Sequence, residues 1–197
     1  MILGSFPKVT LIDYANDKPT RAQSIFHTAT SFHFSAARTS ERITFEGGYL
    51  SPLAPSIANY AIATELYVKS MLQVRGLSMK SHSLNVLFLR LDRGVQSKTR
   101  ENLTLFKGVS ESDFIKAIQE ISSAFVDWRY IHELAPGKRI YTSALIDFCV
   151  ALYRTAADAN QWEASHHMRP FLERAPSEYE VAECWGDGRF TRVRVQP

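Results

Sequence analysis

The chain has 197 residues, a formal net charge of +3, 45% apolar and 22% charged residues; this excludes a disordered composition and suits one ordinary domain with a buried core. The mild basic excess favours approach to phosphate or other anions, but it is less lopsided than a dedicated nucleic-acid-binding module. The two cysteines, Cys149 and Cys184, the absence of a basic-then-apolar leader and the absence of a membrane-length apolar run set the expectation of a soluble, cytoplasmic protein with no membrane partner.

In chain order, residues 1–19 read as an extended N-terminal arm, with Val9 and Leu11 alternating before the turn-forming "NDKP". From Thr20 to Arg38, Ile25, Phe26, Ala29, Phe32, Phe34 and Ala36 recur at helical spacing and predict a first helix. "TFEGGYLSPLAPS" (44–56) reads as a loop, because two glycines and two prolines interrupt regular structure. A second helix is expected from Pro55 or Ser56 to a glycine cap at Gly76. Its stripe of Ile57, Ala61, Thr64, Val68, Met71 and Leu72 is widened by Ala58, Ile62 and Leu66, the pattern of a central helix.

A short third helix opens at His82 or Ser83, and "RGVQSKTRE" (93–101) reads as an interruption after it. Ser110 caps the next helix, with Asp113 three residues on, and Phe114, Ile118, Ile121, Phe125 and Trp128 carry its periodicity toward "APG" at 135–137. Another helix runs through "IYTSALIDFCVALYRTAADANQW", with Ile140, Ala144, Asp147, Phe148, Ala151 and Leu152 on repeating turns. The tail alternates at period two around "GDG" and predicts a β-hairpin, with the N-terminal arm as a candidate third strand. The expected fold is all-α: an antiparallel helical bundle of about five to six helices in residues 20–160, followed by a 161–197 extension that carries the small hairpin.

Several side chains in these helices are candidates for chemistry. Glu65 and Lys69 are four apart on a helix that is apolar almost all round; they form either a solvated surface pair or a partly buried one that fixes register or meets a ligand. Arg129 and Glu133 are also four apart, in the less favourable order for an isolated helix, and are expected to reach toward Glu65 and Lys69. His132 shares a neighbouring face with Trp128, placed either to carry a proton or to sit satisfied at the core edge. Arg189, Arg192 and Arg194 are placed either to contact a phosphate backbone or to protect a strand edge with charge. Adjacent His166 and His167 should point their rings apart, and no cysteine–histidine spacing fits a zinc site, so neither metal nor cofactor is expected. Phosphate-cradling glycine motifs and the nucleophile-elbow motif are absent.

Three segments in order, "AIATELYVKSMLQVRG", "KSHSLNVLFLRL" and "AFVDWRYIHE", resemble motifs of the HEPN superfamily across residues 54–155. The matching positions are Glu65, Leu66, Lys69, Met71 and Leu72, then His82, Leu84, Leu87 and Phe88, then Arg129, Tyr130 and Glu133. The resemblance implies an antiparallel helical bundle, commonly dimeric, with Glu65, Lys69, His82, Tyr130 and Glu133 as a polar network or ligand site. It implies an RNA- or nucleotide-related binding or regulatory module in a toxin or antiphage setting, with RNA, a nucleotide or an antitoxin-like protein as partner.

Nucleases of that family place an arginine, four to six residues and then a histidine on a late helix. Here Arg129 and His132 are separated by only two residues, while Arg21 with His27 and Arg75 with His82 match the spacing formally. A metal-independent, dimeric ribonuclease with Arg129 stabilising phosphate charge and His132 as general acid or base is therefore the alternative. A purely structural module that augments a partner's sheet edge through the tail is the third reading.

Overall fold

The computed structural model describes residues 18–41, 43–45, 48–50, 52–77, 79–122, 136–137, 139–184 and 190–194. The N-terminal arm and the run FVDWRYIHE lie outside the described residues, as do the side chains of Arg192 and Arg194. The described chain is mainly helical: α1 (Arg21–Thr39), α2 (Leu53–Val74), α3 (Leu84–Phe88), α4 (Arg93–Glu101), α5 (Glu111–Ile121), α6 (Thr142–Asn160) and α7 (Arg169–Leu172). The strands are β1 (Ile43–Phe45), β2 (Gly48–Leu50), β3 (Arg139–Ile140), β4 (Glu180–Cys184) and β5 (Phe190–Arg194).

Local chemistry sets most helix boundaries. The Thr20, Ser83, Asp92 and Ser110 side chains each accept a backbone N–H in the first turn of the helix that follows, satisfying a donor that the helix itself leaves unpaired. Past the end of α2, Gly76 takes a left-handed φ of 66°. The N–H of Gly76 then reaches the Gln73 carbonyl, and that of Leu77 reaches the Leu72 carbonyl, a turn open to glycine because it has no Cβ.

Several boundaries differ from the sequence reading: α5 ends at Ile121 with Ser122 as its cap instead of running on toward "APG", and α7 lies in the stretch read only as a hairpin-bearing extension. The 44–56 stretch is not all loop, since β1 and β2 pair antiparallel with Phe45 opposite Gly48, and α2 already starts at Leu53. "RGVQSKTRE" is helix α4, begun by the Asp92 cap; its few apolar residues hide it from a periodicity search. Ile140 pairs with Ala182 as a strand residue, so α6 begins at Thr142.

The two longest buried contacts run along α2. On one side α1 packs against it, with Ala29, Ala36, Ala37, Ala61 and Ala63 buried, side chains small enough to let two backbones approach closely. Ser56 Oγ donates to the Ala36 carbonyl across the pair at 3.0 Å, while His33 meets Tyr67 further along, so α1 and α2 are antiparallel. On the other side α6 runs in the same sense as α2, for Thr64 adjoins Cys149 and Tyr67 faces Tyr153 at a ring-centroid distance of 6.0 Å. Phe88, Phe114 and Phe148 meet edge to face at 5.4–5.7 Å and fasten α3 and α5 onto α6.

A three-stranded antiparallel sheet, ordered β3-β4-β5, closes one end of the helices. Its central strand is pinned to the start of α6: the Thr142 and Ser143 hydroxyls donate to the Glu180 carbonyl, and the Glu180 N–H donates to Ser143 Oγ. The described third strand is thus β3, from the segment just before α6.

Candidate functional site

On the outer part of α2, Lys69 Nζ donates to Glu65 Oε1 at 2.7 Å, and His82 Nδ1 meets the same oxygen at 3.1 Å. The pair is no solvated surface bridge, since its side chains are 13% (Glu65) and 14% (Lys69) exposed. His82 is 78% exposed, so it forms the solvent-facing rim above a partly buried ion pair. A carboxylate only accepts, which puts the Nδ1 proton on His82 and leaves Nε2 as an acceptor directed away from that bond when the ring is neutral.

Backbone geometry explains why residues seventeen apart meet. The Gly76 turn reverses the chain after α2, and Ser83 is held at the start of α3 both by its cap bond and by a 3.3 Å contact with Ser122 Oγ at the end of α5. Ser122 Oγ also accepts the Asn85 N–H. The segment bearing His82 is therefore fixed at one end by α2 and at the other by α5.

Glu65, Lys69 and His82 are brought together among the described residues. Arg129, Tyr130, His132, Glu133 and Arg189 lie outside them. Of the two formal arginine–histidine matches, Arg75 is bound to Asp92 at 2.6 Å while His82 is bound to Glu65. Arg21 and His27 are on α1, where burial lowers the pKa of His27. His166 and His167 occupy a turn rather than a helix or strand, and their rings do not diverge: the centroids are 4.2 Å apart. Among the described residues no group of three or more His, Cys, Asp or Glu side chains is placed to hold a metal ion, and no helix is long and apolar enough to cross a membrane.

Two buried polar centres escaped the sequence reading. His33 is fully buried among Tyr60, Tyr67 and Tyr153, with Nδ1 3.2 Å from the Tyr67 hydroxyl and Nε2 without a hydrogen-bond partner. Burial lowers its pKa to about 3 and raises that of Tyr67, because a low-dielectric interior disfavours the charged form of each. It is a neutral structural imidazole. The signal was a polar ring on the same face as Phe26 and Ala29, at the seven-residue and four-residue spacings of a buried stripe.

Asp147 is the second. Its buried carboxylate accepts the backbone N–H groups of Thr104, Leu105 and Phe106 at 3.0 Å each. Burial raises its pKa, against the opposing pull of those three N–H groups and of Arg154. Arg154 donates to the Asn102 and Glu173 carbonyls and to the Thr104 hydroxyl, tying the same turn to the segment after α7. Both side chains organise backbone, Asp147 from the interior and Arg154 from a half-buried position.

Comparison of the chain with protein-family models, with curated proteins and with solved structures gave no match.

Proposed function

We propose that this protein is a HEPN-like helical bundle, antiparallel along α1–α2, with the tail as a hairpin, that acts as a binding or regulatory module for RNA or a nucleotide. Its setting is toxin or antiphage defence, as a cytoplasmic homodimer or with an antitoxin-like partner. The observation that carries the reading is the convergence of Glu65, Lys69 and His82. These positions come from two separate motifs of the resemblance and meet on one carboxylate oxygen, beneath an exposed imidazole. The Lys69 ammonium supplies a donor and the neutral His82 Nε2 an acceptor, a preorganised pair for a base edge or a ribose hydroxyl.

The test is calorimetric titration of the purified protein with mononucleotides and a short single-stranded RNA, beside Lys69→Met and His82→Ala. Binding that both variants weaken supports the module; absence of binding to either ligand at low salt retires it.

Catalysis is the second reading, favoured by one feature: His82 has a carboxylate on Nδ1 and an exposed ring, the orientation a general base requires. In a metal-independent ribonuclease, labelled RNA would be cleaved in EDTA. Loss of that cleavage in His132→Ala assigns it to the Arg129–His132 pair, and loss in His82→Ala assigns it to the described cluster.

A further inference from the structure

α4 presents four polar side chains on one face. Arg93, Gln96, Ser97 and Arg100 follow the i, i+3, i+4, i+7 spacing of a helix stripe, and this stripe lines a groove of ≈ 180 Å³ against Phe114 and Ile115 of α5. The opposite face of α4 is the packed one: Thr99 is fully buried, and the adjoining Asn102 side chain donates to Thr155 of α6 at 3.0 Å. The helix is therefore held from behind while its cationic stripe faces a cleft.

The donors are arranged for an extended anion. Seven residues of helix separate the two guanidinium-bearing positions by about 10 Å along the axis; between them the Gln96 amide donates to the Leu91 carbonyl at 2.6 Å and the Ser97 hydroxyl to Glu101 at 3.4 Å, which leaves the two arginines as the groove's cationic donors. Of the neighbouring charges, Asp92 is occupied by Arg75 at 2.6 Å, and Lys98 faces Glu101 at 4.0 Å. The one carboxylate lining the groove is Glu111, 81% exposed and 3.9 Å from Arg100, a weak contact that a phosphate can displace. The half-buried Ile115, backed by the buried Phe114, gives an unpaired base an apolar edge to lie against, which an acidic peptide would not use.

We propose that the α4–α5 groove binds the phosphodiester backbone of single-stranded nucleic acid, with Arg93 and Arg100 on two phosphates of one strand. This rests on the reading of the protein as an RNA-binding module and adds a second contact surface, remote in sequence from Glu65 and Lys69. Glu111 limits affinity by competing for Arg100.

The experiment is fluorescence anisotropy with a labelled 12-nucleotide oligouridylate across a salt series. It uses the full chain, Arg93→Ala/Arg100→Ala and Glu111→Gln, with melting curves confirming that each variant folds. The double variant should bind about tenfold more weakly, and its slope of log affinity against log salt should fall by about 1.4, as expected for two lost phosphate contacts on a single strand. Glu111→Gln should bind more tightly than wild type. RNA binding with unchanged affinity and slope in the double variant overturns the groove while leaving the module reading intact; no RNA binding by wild type overturns the groove and the RNA form of the module reading, whose nucleotide form then rests on the mononucleotide titration. Competition by poly-glutamate as effective as that by unlabelled oligouridylate also overturns the groove, because it marks a site for acidic protein.

Discussion

His33 Nδ1 and the Tyr67 hydroxyl meet at 3.2 Å in the middle of the α1–α2–α6 contact, where both residues are completely buried. One helix thus carries an imidazole that stays neutral in the folded state to about pH 3, against an ordinary value of 6.5. Because the folded pKa is depressed, the unfolded chain takes up a proton first as pH falls. Stability is fully present above about pH 6.5 and is lost progressively toward the folded pKa. His33 should cost about 2 kcal/mol of stability on going from pH 7.5 to pH 5. Urea unfolding of wild type and His33→Phe at the two pH values checks this: the variant should lose less stability on acidification, and equal losses would contradict it.

Asp147 should be the most sensitive polar position among the described residues. Asp147→Ala leaves three backbone N–H groups of the 104–106 turn without their acceptor, and stability should fall by about 3 kcal/mol. Thermal and urea unfolding read the loss directly. A change below about 0.5 kcal/mol, the ordinary range for surface substitutions, would show that water replaces the carboxylate without penalty.

Lys69→Met leaves the Glu65 carboxylate with His82 as its remaining described partner, at a position where only 13% of its side chain is exposed. It should destabilise by about 2 kcal/mol, below the range for fully buried pairs because some solvent reaches this one. The double variant Glu65→Gln/Lys69→Met should recover part of that loss. The sign of the coupling in a double-mutant cycle decides the point, since additive losses would mean the two side chains act independently.

Cys149 is buried, and burial pushes the pKa of its thiol up to about 12. The thiolate is the reactive form, so Cys149 should resist iodoacetamide at pH 8 in the native protein and be alkylated fully in denaturant. Peptide-resolved mass spectrometry keeps its signal apart from that of Cys184. Native-state alkylation at the rate of a free thiol would rule out the packing described.

Gln161 closes α6 in a left-handed conformation at φ 53°, unfavourable for a residue with a Cβ. Gln161→Gly should stabilise the protein by about 1 kcal/mol, raising Tm by about 2–4 °C. A lowered Tm in calorimetry would show that the Gln161 side chain contributes more than the strain costs.

Much of the fold was legible because helix formation here follows local patterns. The apolar stripes of α1, α2 and α6, the Ser110 cap of α5 and the Gly76 stop depend on spacing and on a few side chain–backbone bonds, which neighbouring residues largely determine. The i, i+4 relation of Glu65 and Lys69 was equally plain. α4 was missed because its helix rests on the Asp92 cap and on packing against α6, with Val95 as its lone large apolar residue.

By itself, the sequence determined the helical class, the extent of α1, the Ser110 start of α5, the Gly76 stop of α2 and the candidate residues Glu65, Lys69 and His82. Tertiary structure alone decided that His82 sits on Glu65, that His33 is an interior imidazole, that Asp147 anchors a turn forty residues away and that the α4 stripe faces a groove. The physical reason is one of range. Caps and periodicity act within a few residues along the chain, whereas burial, desolvation and hydrogen bonds between distant segments exist only once the helices have packed.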